Sequence, residues 1–278
     1  MADYKQGDVK IDGIKIHYYR AVINHTGSGK QTIILLHGVS DNGLCWSRVA
    51  EVLIKKYDVI LVDAQGHGLS DRVGPGFSYE SHARQIAGLI KALKLTKPLV
   101  MGHSMGAGTA ADMASEYPAL PGAIILVDPP WSDLAPHPRN AEEAGKMQQE
   151  FHNMFSGLGK RRIQDIIMES RKLDPSWPEE ERLPWAMAKK QFDINIFNYV
   201  VVNPHPFEEI VGKIQCPTLL VTGEKGVVSK ETAEKITTLW KANSPYRWAR
   251  IEGAGHNVHR DNYMGFMKAL EEFLKEVR

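Results

Sequence analysis

Two short stretches of this chain carry residues whose types and spacing suit nucleophilic catalysis. Gly102-His103-Ser104-Met105-Gly106 places a serine between two glycines, and Gly253-Ala254-Gly255-His256 delivers a histidine after a flexible approach. A serine hydroxyl is a weak nucleophile until a base takes its proton, and a histidine is the side chain best suited to do so near neutral pH. Ser104 is therefore the candidate nucleophile and His256 the candidate base. His259, three residues on, is the alternative base. A tetrahedral intermediate also needs donors for its oxyanion. The amide of Met105, directly after the serine, and that of Val39, in Leu35-Leu36-His37-Gly38-Val39, are the expected pair. His37 and His103 read as structural.

The elements around these residues must present them. Pro98-Leu99-Val100-Met101 reads as a buried strand and Thr109 to Tyr117 as a helix rich in small residues, so Ser104 falls on a sharp strand-to-helix turn that needs glycine on both sides. Further apolar runs at Thr32 to Leu36, Val59 to Val62, Ala123 to Val127 and Thr218 to Val221 alternate with helical patterns at Trp46 to Lys55, Tyr79 to Leu93, Lys230 to Lys241 and Asn262 to Val277. Such alternation predicts a parallel sheet covered on both faces. Val9 to Gly13 and Ile14 to Tyr19 read instead as a hairpin turning at Asp12-Gly13. His256 lies after the strand-like Arg247 to Ile251, at the sheet end where open α/β folds place their sites.

The alternation breaks after Asp128, and about 80 residues pass before the next core strand, far more than an ordinary connection. This predicts a helical cap over 131–205, inserted between core segments 1–130 and 206–278, with boundary signals at Pro129-Pro130 and Asn203-Pro204-His205-Pro206. The cap holds Trp131, Phe151, Phe155, Trp177, Trp185, Phe192, Phe197 and Tyr199. Most would pack cap against core; Trp131 and Trp185 are the candidates to line an apolar pocket at the seam.

Composition narrows the partners. The 278 residues carry a formal charge of +1 with 43% hydrophobic and 24% charged residues, which suits a soluble globular protein and gives no electrostatic case for nucleic acid. Lys160-Arg161-Arg162 reads as a solvated helix face. The polar N-terminus and the absence of an apolar run of membrane-spanning length lead to an expected cytoplasmic location. Cys45 and Cys216, both in apolar settings, read as reduced core thiols. No cofactor or metal is expected, and the chain is expected to act as a monomer or homodimer.

These motifs together resemble the α/β-hydrolase superfamily over nearly the whole chain. The resemblance rests on His37-Gly38, on Asp63-Ala64-Gln65-Gly66-His67-Gly68-Leu69-Ser70, on the turn at Ser104 and on Gly255-His256, with Gln65 standing where the superfamily often has arginine. It implies an α/β-hydrolase fold, a mostly parallel central sheet flanked by helices with an inserted helical cap, and a serine hydrolase that acts on small apolar acyl substrates such as esters or lactones. Hydrolases of carbon-carbon bonds in ring-cleavage products are the alternative, as is a ligand receptor of the same fold without turnover. Many members carry the triad acid after the penultimate core strand, yet Gly223-Glu224-Lys225-Gly226 has glycine where that aspartate would be. Others take it from the end of the strand after the nucleophile helix. Here that residue is Asp128, with Glu224 as the alternative. A competing dinucleotide-binding pattern, Gly106-Ala107-Gly108-Thr109-Ala110-Ala111, begins too late after its strand and leaves the histidine motifs unexplained.

Overall fold

The computed structural model describes residues 3–22, 29–131, 138, 140–199 and 206–277. Strands β1 (Asp3–Ile11) and β2 (Ile14–Val22) form the expected hairpin, with Asp12 and Gly13 both at positive φ (51° and 85°) as a tight two-residue turn demands. The remaining strands are β3 (Thr32–Leu36), β4 (Asp58–Val62), β5 (Leu99–His103), β6 (Ala123–Val127), β7 (Thr218–Lys225) and β8 (Tyr246–Gly255). Among the described residues they make one eight-stranded sheet in the order β1-β2-β4-β3-β5-β6-β7-β8. β2 pairs antiparallel with β1 and β4, and every other pairing is parallel.

Helices cover both faces, as the continuous apolar runs require. α1 (Ser47–Leu53), α9 (Val258–Asp261) and α10 (Tyr263–Glu276) pack on one face, where Ile33 and Leu35 meet Val49, Val258 and Phe266. α2 (Tyr79–Ala92), α3 (Met105–Glu116), α7 (Phe207–Val211) and α8 (Lys230–Leu239) cover the other, where Ile34 and Leu36 meet Ile86, Ala110, Val211 and Ile236. The two-residue period of β3 thus feeds two separate cores, and all five of its residues are buried. Cys45 and Cys216 are buried free thiols.

Between β6 and β7 the chain inserts α4 (Ala141–Phe155), α5 (Ile163–Leu173), α6 (Glu179–Gln191) and 3-10 turns at Leu158–Lys160 and Ile194–Tyr199. Asn140 caps α4 by accepting the Glu143 amide at 2.9 Å. The expected exit at Asn203-Pro204-His205 lies outside the described residues. β3 is the point where the winding of the sheet reverses: β4 lies on one side of it and β5 on the other. A crevice at the carboxyl ends of these strands is where such a sheet accommodates a ligand.

Candidate active site

Ser104 sits on the turn between β5 and α3 with φ 50° and ψ −117°, a conformation that non-glycine residues rarely adopt. The neighbours show why both flanking positions are glycine. A Cβ on Gly102 would lie 2.1 Å from the Gly106 carbonyl oxygen, and one on Gly106 would lie 2.4 Å from that of Leu36. The strained turn is anchored by the Ser104 amide, which donates to the Val127 carbonyl at 2.9 Å. α3 begins at Met105, immediately after the serine and four residues before the helical pattern first shows in the sequence. The Met105 amide is therefore at the helix start, where no carbonyl within the helix can accept from it.

His256 follows β8, and its Nδ1–H donates to Asp128 Oδ2 at 2.6 Å. Asp128 follows β6 at φ 43°, with its carboxylate fully buried. Oδ2 also accepts the Val227 amide at 2.8 Å and Oδ1 the Val228 amide at 3.2 Å, so three donors orient one carboxylate. Gly226 makes room for this: a Cβ there would fall 2.5 Å from Asp128 Oδ1 and 2.7 Å from Oδ2. Glu224 is placed elsewhere, exposed and accepting the Gly253 amide at 2.9 Å. The serine and histidine loops are joined through His103, which precedes Ser104 and donates Nε2–H to the His256 carbonyl at 2.9 Å. His259 is buried and stacks on Trp46 at 4.3 Å; burial, and then the charge of Arg260, hold it well below the usual histidine range.

The loop after β3 lies beside Ser104, since β3 and β5 are paired with Leu36 opposite Gly102. Gly38 approaches closely enough that a Cβ would be 2.9 Å from His103 Nδ1. His37 Nδ1–H donates to the Gly38 carbonyl at 2.8 Å, and the Asp41 amide donates to the same oxygen at 3.1 Å. In a trans peptide the N–H points opposite the carbonyl, so these bonds also set the direction of the Val39 amide. His37 Nε2 accepts the Ala64 amide, and His67 Nε2 accepts that of Ser40. Burial pushes both rings below their ordinary pKa and keeps them neutral acceptors. In the loop after β4, Asp63 receives the Gly43 and Leu69 amides, and Gln65 bonds Gln85 and the Arg72 carbonyl.

An aromatic wall stands next to this loop. Phe197 stacks on Phe151 at 4.9 Å and meets Phe155 at 5.1 Å and Phe192 at 5.6 Å, in a cluster that includes Met105 and has Val39 packed against it. The core contributes Phe77, edge-on to Tyr199 at 5.3 Å. Neither expected pocket tryptophan belongs to that cluster. Trp131 stacks on Phe207 at 5.9 Å within the same apolar core as the buried residues of α3, and Trp185 meets Trp177 edge-on at 5.7 Å.

Where the insert meets the core lies a set of buried charges that no motif in the sequence marks. Lys189 and Glu181 of α6 join Asp41 and Arg260, all with side chains at most 7% exposed. Burial pushes the Asp41 carboxyl up, but Arg260 and Lys189 outweigh it and hold the group well below the usual carboxylate range. Among the described residues, no group of three or more His, Cys, Asp or Glu side chains is placed to hold a metal ion. Nor is any helix among them long and apolar enough to cross a membrane.

Comparison with known proteins places the chain in a family. The alpha/beta hydrolase fold family profile matches residues 31–263. An N-formylmaleamate deformylase of Pseudomonas putida is 27% identical over 281 residues, covering 96% of each chain. An uncharacterised protein of Mycobacterium tuberculosis is 35% identical over 112 residues, which span 40% of this chain and only 33% of that one. Among solved structures, an N-formylmaleamic acid deformylase from Pseudomonas putida superposes with a TM-score of 0.73 at 24% identity, covering 96% of this chain and 100% of the other. An enol-lactonase from Burkholderia xenovorans gives 0.75 at 16% identity, covering 97% and 100%. With the profile spanning well over half its length, the chain belongs to the alpha/beta hydrolase fold family.

Proposed function

We propose that this protein is a serine hydrolase that cleaves a carboxylic ester or related acyl substrate, such as a lactone, through a Ser104-His256-Asp128 triad and an acyl-enzyme. The observation that carries the reading is the Asp128-His256 bond at 2.6 Å, with the His256 backbone bonded to His103, the residue before a serine strained to φ 50°. In this mechanism His256 Nε2 takes the Ser104 proton as Oγ attacks the acyl carbon. Asp128 keeps the second proton on Nδ1, fixes the ring and stabilises the imidazolium. The Val39 and Met105 amides receive the oxyanion, the leaving group departs with the proton from His256, and water activated by the same ring releases the acid. The helical insert, residues 131–205, acts as a cap. Its aromatic cluster beside Val39 and Met105 favours an apolar acyl group.

A second reading, hydrolysis of a carbon-carbon bond, draws on one comparison. A 2-hydroxy-6-oxononadienedioate/2-hydroxy-6-oxononatrienedioate hydrolase of Paraburkholderia xenovorans is 26% identical over 230 residues, covering 79% of this chain and 76% of that protein. Exposure to a serine-reactive phosphonate tests the shared chemistry. Peptide mass spectrometry is expected to find the adduct on Ser104, and Ser104→Ala to lose both adduct and turnover while staying folded. An adduct on another serine, or activity retained in Ser104→Ala, would overturn the mechanism. Turnover of p-nitrophenyl esters against vinylogous diketones then separates the two substrate classes.

A further inference from the structure

We infer that Lys189, on the inserted helix α6, is a positioning residue for the oxyanion loop, so that docking of the insert completes the site on the core. The inference rests on the reading of Ser104 as nucleophile and Val39 as oxyanion donor. Lys189 Nζ donates to the Ser40 carbonyl at 3.0 Å, to Ser40 Oγ at 2.8 Å and to Asp41 Oδ1 at 3.0 Å. An ammonium group has three protons, and each here has an acceptor in the two residues that follow Val39. Ser40 stands at φ 63°, left-handed backbone that a serine adopts only when its surroundings hold it there. Its amide is committed to His67 Nε2 at 3.1 Å and its carbonyl to Lys189. Both ends of the residue next to the oxyanion donor are therefore fixed, one by the core and one by the insert.

The other half of the contact runs to the base loop. Asp41 Oδ2 accepts from Arg260 at 2.9 Å, four residues past His256. Glu181, on the same helix as Lys189, lies 3.5 Å from the Arg260 guanidinium. Two buried cations and two buried anions thus connect the insert to the loop after β3 and to α9, the short helix that follows His256. A second tie runs in parallel: Trp177 Nε1–H donates to Asp261 Oδ1 at 2.8 Å, and Asp261 Oδ2 receives the Gly255 amide at 2.9 Å, directly before His256. Holding a lysine in a desolvated seam is costly, and an apolar side chain would pack α6 to the core without that cost. What the ammonium does that an apolar group cannot is orient the Ser40 peptide. Trp185 covers it, with Nζ 4.6 Å from the ring centre.

The test compares transition-state and ground-state binding in Lys189→Met and Lys189→Arg. The probes are a p-nitrophenyl ester for turnover, a trifluoromethyl ketone whose hemiketal oxygen occupies the oxyanion hole, and the product carboxylate. Loss of an oxyanion donor outright costs roughly 10²- to 10³-fold. A displaced donor loses less, so Lys189→Met is expected to lower kcat and ketone affinity together by about 10- to 100-fold, with KM and carboxylate inhibition held within about threefold. Unchanged kcat and ketone affinity in folded Lys189→Met would overturn the inference, as would parallel weakening of the ketone and the carboxylate. If Lys189→Met does not fold, Lys189→Arg decides: its planar fork keeps the charge beside Asp41 but cannot reproduce three converging bonds. A several-fold loss of kcat at constant KM then supports the inference, and wild-type kinetics overturn it. A wild-type enzyme that neither turns over the ester nor binds the ketone would bring down the serine mechanism itself.

Discussion

Gly226→Ala changes one hydrogen to a methyl group, and the structure says what that methyl would strike. The added Cβ falls 2.5 Å from Asp128 Oδ1 and 2.7 Å from Oδ2, where ordinary contact begins near 3.4 Å, so something must move by about 0.9 Å. The carboxylate has no easy retreat. It is fully buried, on a short side chain, and held by the amides of Val227 and Val228 as well as by His256. If the loop shifts instead, those two amides move off the carboxylate with it. Either adjustment displaces the acid from His256 Nδ1. A misplacement near 1 Å costs roughly 10²-fold in rate, which is less than the roughly 10⁴-fold that loss of the acid's function costs. We therefore expect kcat of Gly226→Ala to fall about 10²-fold, or about 2.7 kcal/mol in barrier, with KM nearly constant. The assay is steady-state turnover of a p-nitrophenyl ester together with the rate of phosphonate capture by Ser104, alongside a urea melt to register the overpacking. In an Asp128→Gly background, Gly226→Asp should restore part of the lost rate, because its side chain projects into the space that the Asp128 carboxylate vacates. Wild-type kcat and capture rate in folded Gly226→Ala would refute the reasoning.

The aromatic wall should govern choice of substrate more than chemistry. Phe155→Ala, which removes a ring 5.1 Å from Phe197, is expected to change the ratio of kcat/KM between butyrate and acetate p-nitrophenyl esters by about tenfold while leaving acetate kcat within about threefold; a constant ratio would place the acyl group elsewhere. Acid should destabilise the fold. Burial depresses His37, His67, His103 and His259, and takes His82 from 6.5 to about 4, so below the unfolded value the unfolded chain binds protons that the native state refuses. Stability should be fully present above about pH 6.5 and fall as the pH drops toward about 4, with His82 alone worth about 3 kcal/mol across that window. The urea midpoint is accordingly expected to be lower at pH 5 than at pH 7.5, and an unchanged or higher midpoint would contradict it.

Much of this was legible in the residues, for identifiable reasons. β3 and β6 occupy the same residues as their apolar runs, because strands buried on both faces are written as unbroken hydrophobic stretches. Ser104 is visible because its turn tolerates nothing larger than hydrogen at positions 102 and 106. α3, by contrast, starts earlier than its pattern suggests, since Gly106 and Gly108 lie inside it and look like loop. Gly226 could be read as a missing aspartate but not as the space that admits Asp128, a relation between residues 98 positions apart in the chain. The charged seam was hidden for a similar reason. Lys189 and Lys190 are adjacent, yet one is buried against Ser40 and Asp41 while the other reaches the Gly159 and Arg161 carbonyls at an exposed site. In a helix as charged as α6, periodicity alone does not tell them apart. The ring contacts of Trp131 with Phe207 and of Trp185 with Trp177 are likewise relations between separate segments that the sequence does not display.

The central claim is that Asp128, not Glu224, holds the histidine ring and stabilises its imidazolium. Glu224 is exposed and bonded to the Gly253 amide, whereas Asp128 is buried against the His256 ring. Measured side by side on one ester, Asp128→Asn should lower kcat by up to roughly 10⁴-fold with KM little changed, while Glu224→Gln stays within about threefold of wild type. The reverse order, or full activity in Asp128→Asn, would contradict the account.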